Sequence, residues 1–203
     1  MTGLSEMRHR LADRLTPPAV RIISKTGLSP NGLTVIGFLI SVGSAVALGM
    51  GYFIVGGVLV LVAGAFDMLD GPLARAKGRT TTFGAMLDSS LDRLSEAAVL
   101  LGILIYFLYH EGTWQIWLPY VTFVGSVMVS YLRARAEGLG LKCEVGVFTR
   151  AERVIVLAIG LVVAQWLELA VVVAMSLLAA LAFVTVAQRL LHVWQLTNKE
   201  SGV

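Results

Sequence analysis

Long apolar stretches alternate with short polar turns along this chain. They predict helices near residues 31–50, 52–75, 84–109, 114–137, 151–166 and 168–193. A helix needs about 20 residues to cross the apolar core of a bilayer, which is roughly 30 Å thick. All but the fifth stretch reach that length. We therefore predict an all-α, polytopic membrane protein with six transmembrane helices.

The first 29 residues have a different pattern. Leu4, Met7, Leu11 and Leu15 recur at helical spacing among basic residues, which predicts an amphipathic helix lying on the membrane surface. A solvated chain end is the alternative. The expected organisation is a juxtamembrane helix over 1–29, a six-helix membrane domain that carries the function over 30–195, and a cytoplasmic tail over 196–203.

Composition supports this fold class. The chain has 203 residues, of which 57% are hydrophobic and only 14% charged, and its mean hydropathy is +0.80. Soluble domains carry about 25% charged residues, so no separate soluble domain is expected. The single cysteine excludes an internal disulfide framework and a cysteine-rich zinc site. Nothing in the composition suggests a nucleic-acid partner.

The basic residues predict the orientation of the helices. Lysine and arginine flank alternate ends of the predicted spans, whereas the turns at 49–52, 109–114 and 165–168 contain neither. By the positive-inside rule, both termini and the loop after the second span face the cytoplasm. The expected location is the cytoplasmic membrane of a prokaryote. Candidate aromatic anchors lie near the outer edge: Trp114, Trp117, Tyr120 and Trp166.

Four aspartates lie at the adjoining ends of the second and third predicted spans. An aspartate at the centre of a membrane helix costs about 2.5–3.5 kcal/mol on insertion, and such residues usually mark functional sites. Asp67 and Asp70 are three residues apart, and Asp88 and Asp92 are four apart, so each pair shares a helix face. The short loop at 76–83 predicts antiparallel neighbouring helices, with all four carboxylates in one cytoplasmic cleft.

Clustered carboxylates favour a bound cation. Without one they would repel each other and take up protons. Oxygen ligands select Mg²⁺ or Mn²⁺, and the absence of nearby histidine or cysteine argues against zinc. Two ions about 3.5–4 Å apart are possible. The alternative for a single aspartate is an ion pair with Arg75 or Arg93.

The aspartates belong to a longer pattern with eight fixed positions over 26 residues: Asp67-x2-Asp70-Gly71-x2-Ala74-Arg75-x8-Gly84-x3-Asp88-x3-Asp92. It matches the signature of the CDP-alcohol phosphotransferase family, and the likeness extends to six spans preceded by a juxtamembrane helix. The resemblance implies a transferase that moves the phosphatidyl group of CDP-diacylglycerol to an alcohol and releases CMP. It also implies a homodimer within the lipid membrane.

The resemblance further implies roles for individual residues. Asp92 would be the general base that removes the proton of the acceptor hydroxyl. The implied ligands of Mg²⁺ are Asp67, Asp70, Asp88 and Asp92. The implied CDP-diacylglycerol site consists of Asn31, Thr34, Asp70, Gly71, Ala74, Arg75 and Gly84. For Asn31, capping of the first helix explains the residue equally well.

A second cluster predicts the acceptor. Arginines at cytoplasmic ends of three predicted helices form it: Arg133, Arg135, Arg150, Arg153 and Arg189. Guanidinium groups bind phosphate through paired hydrogen bonds, so we expect a phosphorylated polyol; contact with lipid headgroups is the alternative. The cluster resembles that of family members that use inositol 1-phosphate, which implies this acceptor, with glycerol 3-phosphate as the alternative.

Two other function classes fit the aspartates less well. A divalent-cation transporter would need acidic groups near the bilayer midplane and a path to the outer side, but the outer halves of the spans lack charge. A non-catalytic scaffold would not need a complete signature. Small residues at Ser126, Ser130 and Ala134 form a stripe that permits close helix packing, either with a second copy or within the chain.

Overall fold

The computed structural model describes residues 20, 23, 27–110, 114–143, 145–146 and 150–200, with residues 150, 199 and 200 through their backbone only. In this part of the chain all regular secondary structure is helical, as predicted. The helices are α1 (Pro30–Gly49), α2 (Phe53–Ala76), α3 (Thr82–His110), α4 (Trp117–Gly138), α5 (Arg150–Ala164) and α6 (Leu169–Glu200). A short 3₁₀ turn, Trp114–Ile116, precedes α4.

Four segments are long and apolar enough to cross a membrane: Pro30–Gly49, Phe53–Ala76, Trp114–Gly138 and Leu169–Asn198. The protein is therefore a multi-pass membrane protein, while the count of six spans stays a prediction. Helix α5 has only 15 residues and a length of about 22 Å. Helix α3 is long enough, but its first turns carry the aspartates.

The start of α1 corrects one expectation. The Ser29 hydroxyl accepts a hydrogen bond from the Gly32 N–H at 3.0 Å, which makes Ser29 the N-cap. Pro30 follows at the first helical position, where its missing N–H has no consequence. The capping alternative for Asn31 is therefore wrong, because Asn31 is already inside the helix.

Helix α1 holds the site-bearing helices in place. Both α2 and α3 pack along it, whereas α2 and α3 contact each other only slightly. This differs from the predicted direct pairing of α2 with α3. Glycines explain the close approach: a Cβ added to Gly102 would lie 2.8 Å from the Ala45 Cα. Helix α5 packs between α2 and α6, and α6 also packs on α4.

The main apolar core joins α1, α2, α3, α5 and α6 and contains Phe107, Leu161 and Met175. A second, smaller cluster lies where α2 ends, and there Val20 packs with Leu33 and Leu73. Val20 and Ile23 are helical, and both pack against residues of α1 and α2 in this cluster. The predicted amphipathic pattern from Leu4 to Leu15 lies outside the described residues.

Hydrogen bonds between distant segments define two ends of the bundle. At one end, which we call the carboxylate end, the Lys77 ammonium donates to the Leu28 carbonyl at 2.7 Å. At the other, the Tyr106 hydroxyl donates to Glu168 at 3.3 Å. Helix α6 continues to Glu200, beyond its predicted end at 193, because neither glycine nor proline interrupts it. Residues 196–200 of the predicted tail are thus helical.

Candidate active site

Three of the four aspartates converge at the carboxylate end. Asp67 and Asp70 come from α2 and Asp88 from α3, and one oxygen of each lies within 4.8 Å of the others. Asp70 is buried, with 7% exposure, and the other two are partly buried. An all-oxygen, negatively charged group of this size fits a hard divalent cation. The predicted convergence is confirmed for these three residues.

Both oxygens of Asp70 are fixed by hydrogen bonds. The Thr34 hydroxyl on α1 donates to Oδ2 at 2.8 Å, and the Gly71 N–H donates to Oδ1 at 2.6 Å. The Pro30 carbonyl is a second acceptor for the Thr34 hydroxyl, at 3.2 Å. Outer contacts of this kind orient metal-binding carboxylates. Thr34 thus contacts the carboxylate cluster directly.

The two signature glycines differ in their surroundings. A Cβ added to Gly71 would meet only Nη1 of Arg75, at 3.7 Å, so this side of α2 is open. A Cβ at Gly84 would lie 2.9 Å from the Thr81 hydroxyl and 3.1 Å from the Asn31 side-chain oxygen. A side chain at position 84 would therefore displace the side chains of Thr81 and Asn31, where α1 and the first turn of α3 meet.

The remaining predicted nucleotide residues surround the same end. Ala74 and Arg75 lie in the last turn of α2, where Arg75 is exposed. Asn31 lies in the first turn of α1 and faces Gly84. The structure therefore gathers this predicted set around the three carboxylates, while its contacts with a nucleotide stay a prediction.

Asp92 is buried to about the same extent as Asp70. It is 8% exposed and lies outside the group of three clustered aspartates. A step of four residues turns a helix by about 40° beyond one full turn. Asp92 therefore points in a different direction from Asp88, away from the carboxylate cluster.

Asp92 faces a cavity inside the bundle. The cavity has about 890 Å³ of empty space, including its opening to solvent. Its polar wall contains Asp67, Asp92, Ser95, Glu96, Ser126 and Arg153. Its inner wall is apolar, with Val99, Leu157 and Leu178 among its residues. Asp67 lines this cavity and also belongs to the carboxylate cluster, so the cavity is continuous with the cluster.

A group from three helices forms part of the polar wall. Ser126 on α4 donates to Oε1 of Glu96 on α3 at 2.6 Å. Nη1 of Arg153 on α5 donates to the Ser126 hydroxyl and lies 3.5 Å from the same Glu96 oxygen. Sequence analysis missed Glu96, although it continues the spacing of Asp88 and Asp92 by four more residues. Ser126 of the small-residue stripe faces the chain's own interior.

The described arginines of the predicted set make different contacts, although the charges of Arg133 and Arg153 both act on Arg189. Among their described side chains, only Arg153 lines the cavity. Arg133 pairs with Glu137 at 2.9 Å on the surface, where both side chains are 54% exposed, and Arg135 is exposed. Arg189 donates to the backbone carbonyls of Val145 and Val129. The side chain of Arg150 is outside the described residues.

Fold and site together define a multi-pass membrane protein with a candidate divalent-cation site that opens into an interior cavity. The model of the CDP-alcohol phosphatidyltransferase family matches residues 27–193. The chain therefore belongs to this family, and it is an enzyme that transfers phosphatidyl groups.

Individual relatives cover most of the chain. Archaetidylinositol phosphate synthase of Methanothermobacter thermautotrophicus is 36% identical over 86% of this chain and 87% of its own. Phosphatidylinositol phosphate synthase of Mycobacterium tuberculosis is 37% identical over 89% and 86%.

Two crystal structures of the Mycobacterium tuberculosis enzyme are similar to this fold at 36% identity. The one with CDP-DAG bound has a TM-score of 0.79 and covers 89% of this chain and 94% of its own. The one in complex with manganese and citrate has a TM-score of 0.81 and covers 89% of each chain.

Proposed function

We propose that this enzyme transfers the phosphatidyl group of CDP-diacylglycerol to inositol 1-phosphate, forming phosphatidylinositol phosphate and CMP. The observation that carries the proposal is the cavity, which joins a three-carboxylate cluster to a buried base and an arginine. Relatives named archaetidylinositol phosphate synthase and phosphatidylinositol phosphate synthase have inositol phosphate in both names and differ in the lipid that is named. The shared part of these names supports inositol 1-phosphate as the acceptor.

The donor site lies at the carboxylate end. Asp67, Asp70 and Asp88 would hold Mg²⁺ or Mn²⁺, and Asp92 would be a ligand of a second ion. A divalent cation bound there would neutralise pyrophosphate oxygens and stabilise the departing CMP. The all-oxygen ligand set supports this assignment, as does the manganese complex of the mycobacterial relative. The nucleotide site consists of Asn31, Thr34, Asp70, Gly71, Ala74, Arg75 and Gly84.

Asp92 is the general base of the transfer. Its carboxylate takes the proton from the acceptor hydroxyl as the hydroxyl oxygen attacks the phosphorus that bears the diacylglycerol. The bond between this phosphorus and the bridging oxygen breaks, and CMP leaves with that oxygen. The low exposure of Asp92 supports this role, because few competing water molecules reach a buried carboxylate.

The acceptor phosphate binds to arginine. Arg153 is the main ligand in this proposal, since it lies on the wall of the cavity that contains Asp92. A planar guanidinium can bind a phosphate through two hydrogen bonds. The wider acceptor site keeps the predicted set of Arg133, Arg135, Arg150, Arg153 and Arg189.

The proposed topology has six spans in the cytoplasmic membrane of a prokaryote, with both termini and the carboxylate end in the cytoplasm. Exposed aromatic residues at the opposite end of the bundle support this orientation, among them Trp114, Trp117 and Trp166. The predicted division into 1–29, 30–195 and 196–203 is retained. A homodimer stays the expected assembly, although buried Ser126 is not available to a partner.

The acceptor is tested by CMP release. Purified enzyme with Mg²⁺ and CDP-diacylglycerol is given inositol 1-phosphate, glycerol 3-phosphate, inositol or serine, and the lipid product is identified by mass spectrometry. We expect the highest kcat/KM with inositol 1-phosphate. Higher activity with glycerol 3-phosphate would instead make the enzyme a phosphatidylglycerophosphate synthase. A parallel assay with the CDP-activated archaeal ether lipid decides the donor.

A further inference from the structure

The contact between Glu96, Ser126 and Arg153 has a defined direction. The Ser126 hydroxyl has one proton, which it donates to Glu96 at 2.6 Å, so its lone pairs accept from Arg153. The side chains of Arg153 and Glu96 are only 13% and 25% exposed. In this setting, hydrogen bonds to charged groups are stronger than at the surface.

The three residues come from three different helices, and Nη1 of Arg153 contacts both Glu96 and Ser126. A long arginine side chain otherwise has many rotamers, and binding would have to restrict them. Attachment to α3 and α4 therefore selects one guanidinium position on the cavity wall. Glu96 lies one turn beyond Asp92 on α3. The position of the Arg153 guanidinium is therefore linked, through this helix, to the position of Asp92.

We propose that Glu96 and Ser126 are positioning residues that hold the Arg153 guanidinium in place for the phosphate of the acceptor. The proposal rests on the proposed function, because it names residues that support the same acceptor site. Neither Glu96 nor Ser126 is proposed to contact the reacting atoms. Both act through Arg153, so their effect belongs to acceptor binding rather than to metal or nucleotide binding.

The variants Ser126→Ala and Glu96→Gln test the positioning role in the full-length enzyme with Mg²⁺. The concentrations of inositol 1-phosphate and CDP-diacylglycerol are varied separately. In both variants we expect the KM for inositol 1-phosphate to rise roughly tenfold, while kcat and the KM for CDP-diacylglycerol change by less than about twofold. Ser126→Thr keeps the hydroxyl and should restore the acceptor KM. Ser130→Ala is the matched control, because Ser130 donates to the Ser126 carbonyl of its own helix.

A double-mutant cycle distinguishes positioning from a general structural effect. In an Arg153→Lys background, Ser126→Ala should raise the acceptor KM by much less than in the wild-type background, because the partner it positions is gone. Fully additive effects would overturn the proposal, as would an unchanged acceptor KM or an equal rise for CDP-diacylglycerol. If the wild-type enzyme prefers another phosphorylated acceptor, the proposed function fails, and the same KM comparison with that acceptor still decides this proposal.

Discussion

The hydroxyl of Thr34 donates to Oδ2 of Asp70 over 2.8 Å, and both side chains are buried. This bond links α1 to the carboxylate cluster, to which α1 contributes no carboxylate of its own. The Gly71 N–H satisfies the other oxygen of Asp70. Helix α1 therefore orients the candidate metal site as well as supporting α2 and α3.

Replacing Thr34 by valine removes this hydrogen bond while nearly preserving the shape of the side chain. We expect the Mg²⁺ concentration for half-maximal CMP release to rise about 10- to 100-fold, the usual effect of losing an outer contact to a metal ligand. Thr34→Ser keeps the hydroxyl and is the control. An unchanged Mg²⁺ requirement in the valine variant would contradict the assignment.

Removal of the divalent cation should abolish activity reversibly. After treatment with EDTA, CMP release should return with Mg²⁺ or Mn²⁺ but not with Zn²⁺, since the clustered ligand atoms are carboxylate oxygens. Asp88→Asn should weaken the recovery because it removes one charged ligand. Full activity in excess EDTA would exclude a metal-dependent transfer.

Asp92→Asn tests the general base. The amide cannot accept the proton of the acceptor hydroxyl, so we expect turnover to fall roughly a hundredfold to ten-thousandfold. Binding of CDP-diacylglycerol, measured by calorimetry or by a shift in melting temperature, should persist, because three aspartates remain in the cluster. Turnover close to that of the wild type would remove Asp92 from this role.

Gly102 is expected to be required for packing of α3 on α1. An added Cβ would lie 2.8 Å from the Ala45 Cα, so Gly102→Ala should destabilise the fold by about 1–3 kcal/mol. Gly43→Ala is the matched control, because nothing lies within 4 Å of its Cβ. Because alanine has a higher helix propensity than glycine, the stability of Gly43→Ala should equal that of the wild type or exceed it slightly. Melting temperatures in detergent compare the two, and equal values would contradict the packing argument.

Cysteine labelling tests the six-span topology. In a Cys143→Ala background, Gln165→Cys lies in the turn between α5 and α6, and Arg79→Cys lies between α2 and α3. An impermeant maleimide should label position 165 in intact cells and position 79 only after the cells are opened. Labelling of position 165 only in opened cells would mean that α5 does not cross the membrane.

Local patterns determined the elements of this protein. Apolar stretches indicated all six helices, and their observed ends mostly fall within a few residues of the expected ones. The spacing of Asp67, Asp70 and Asp88 was sufficient to predict a carboxylate cluster that the structure confirms. Such features could be predicted because helix formation and side-chain spacing depend on residues close together in the chain.

Contacts between residues that are distant in the chain could not be predicted from local sequence patterns. Nothing near Asp70 indicates that its partner is Thr34, and nothing near Arg153 indicates Glu96. Likewise, arginines near the ends of the predicted spans look alike in sequence, yet Arg133 pairs at the surface while Arg153 reaches the cavity.

The sequence by itself determined the helices, the carboxylate cluster and the family's reaction. Only the tertiary structure decided which residues surround that reaction. It placed α1 against both α2 and α3, left Asp92 outside the group of three aspartates, and joined Glu96, Ser126 and Arg153. The physical reason is that spacing along one helix determines a face, whereas the neighbours of that face depend on how all the helices pack.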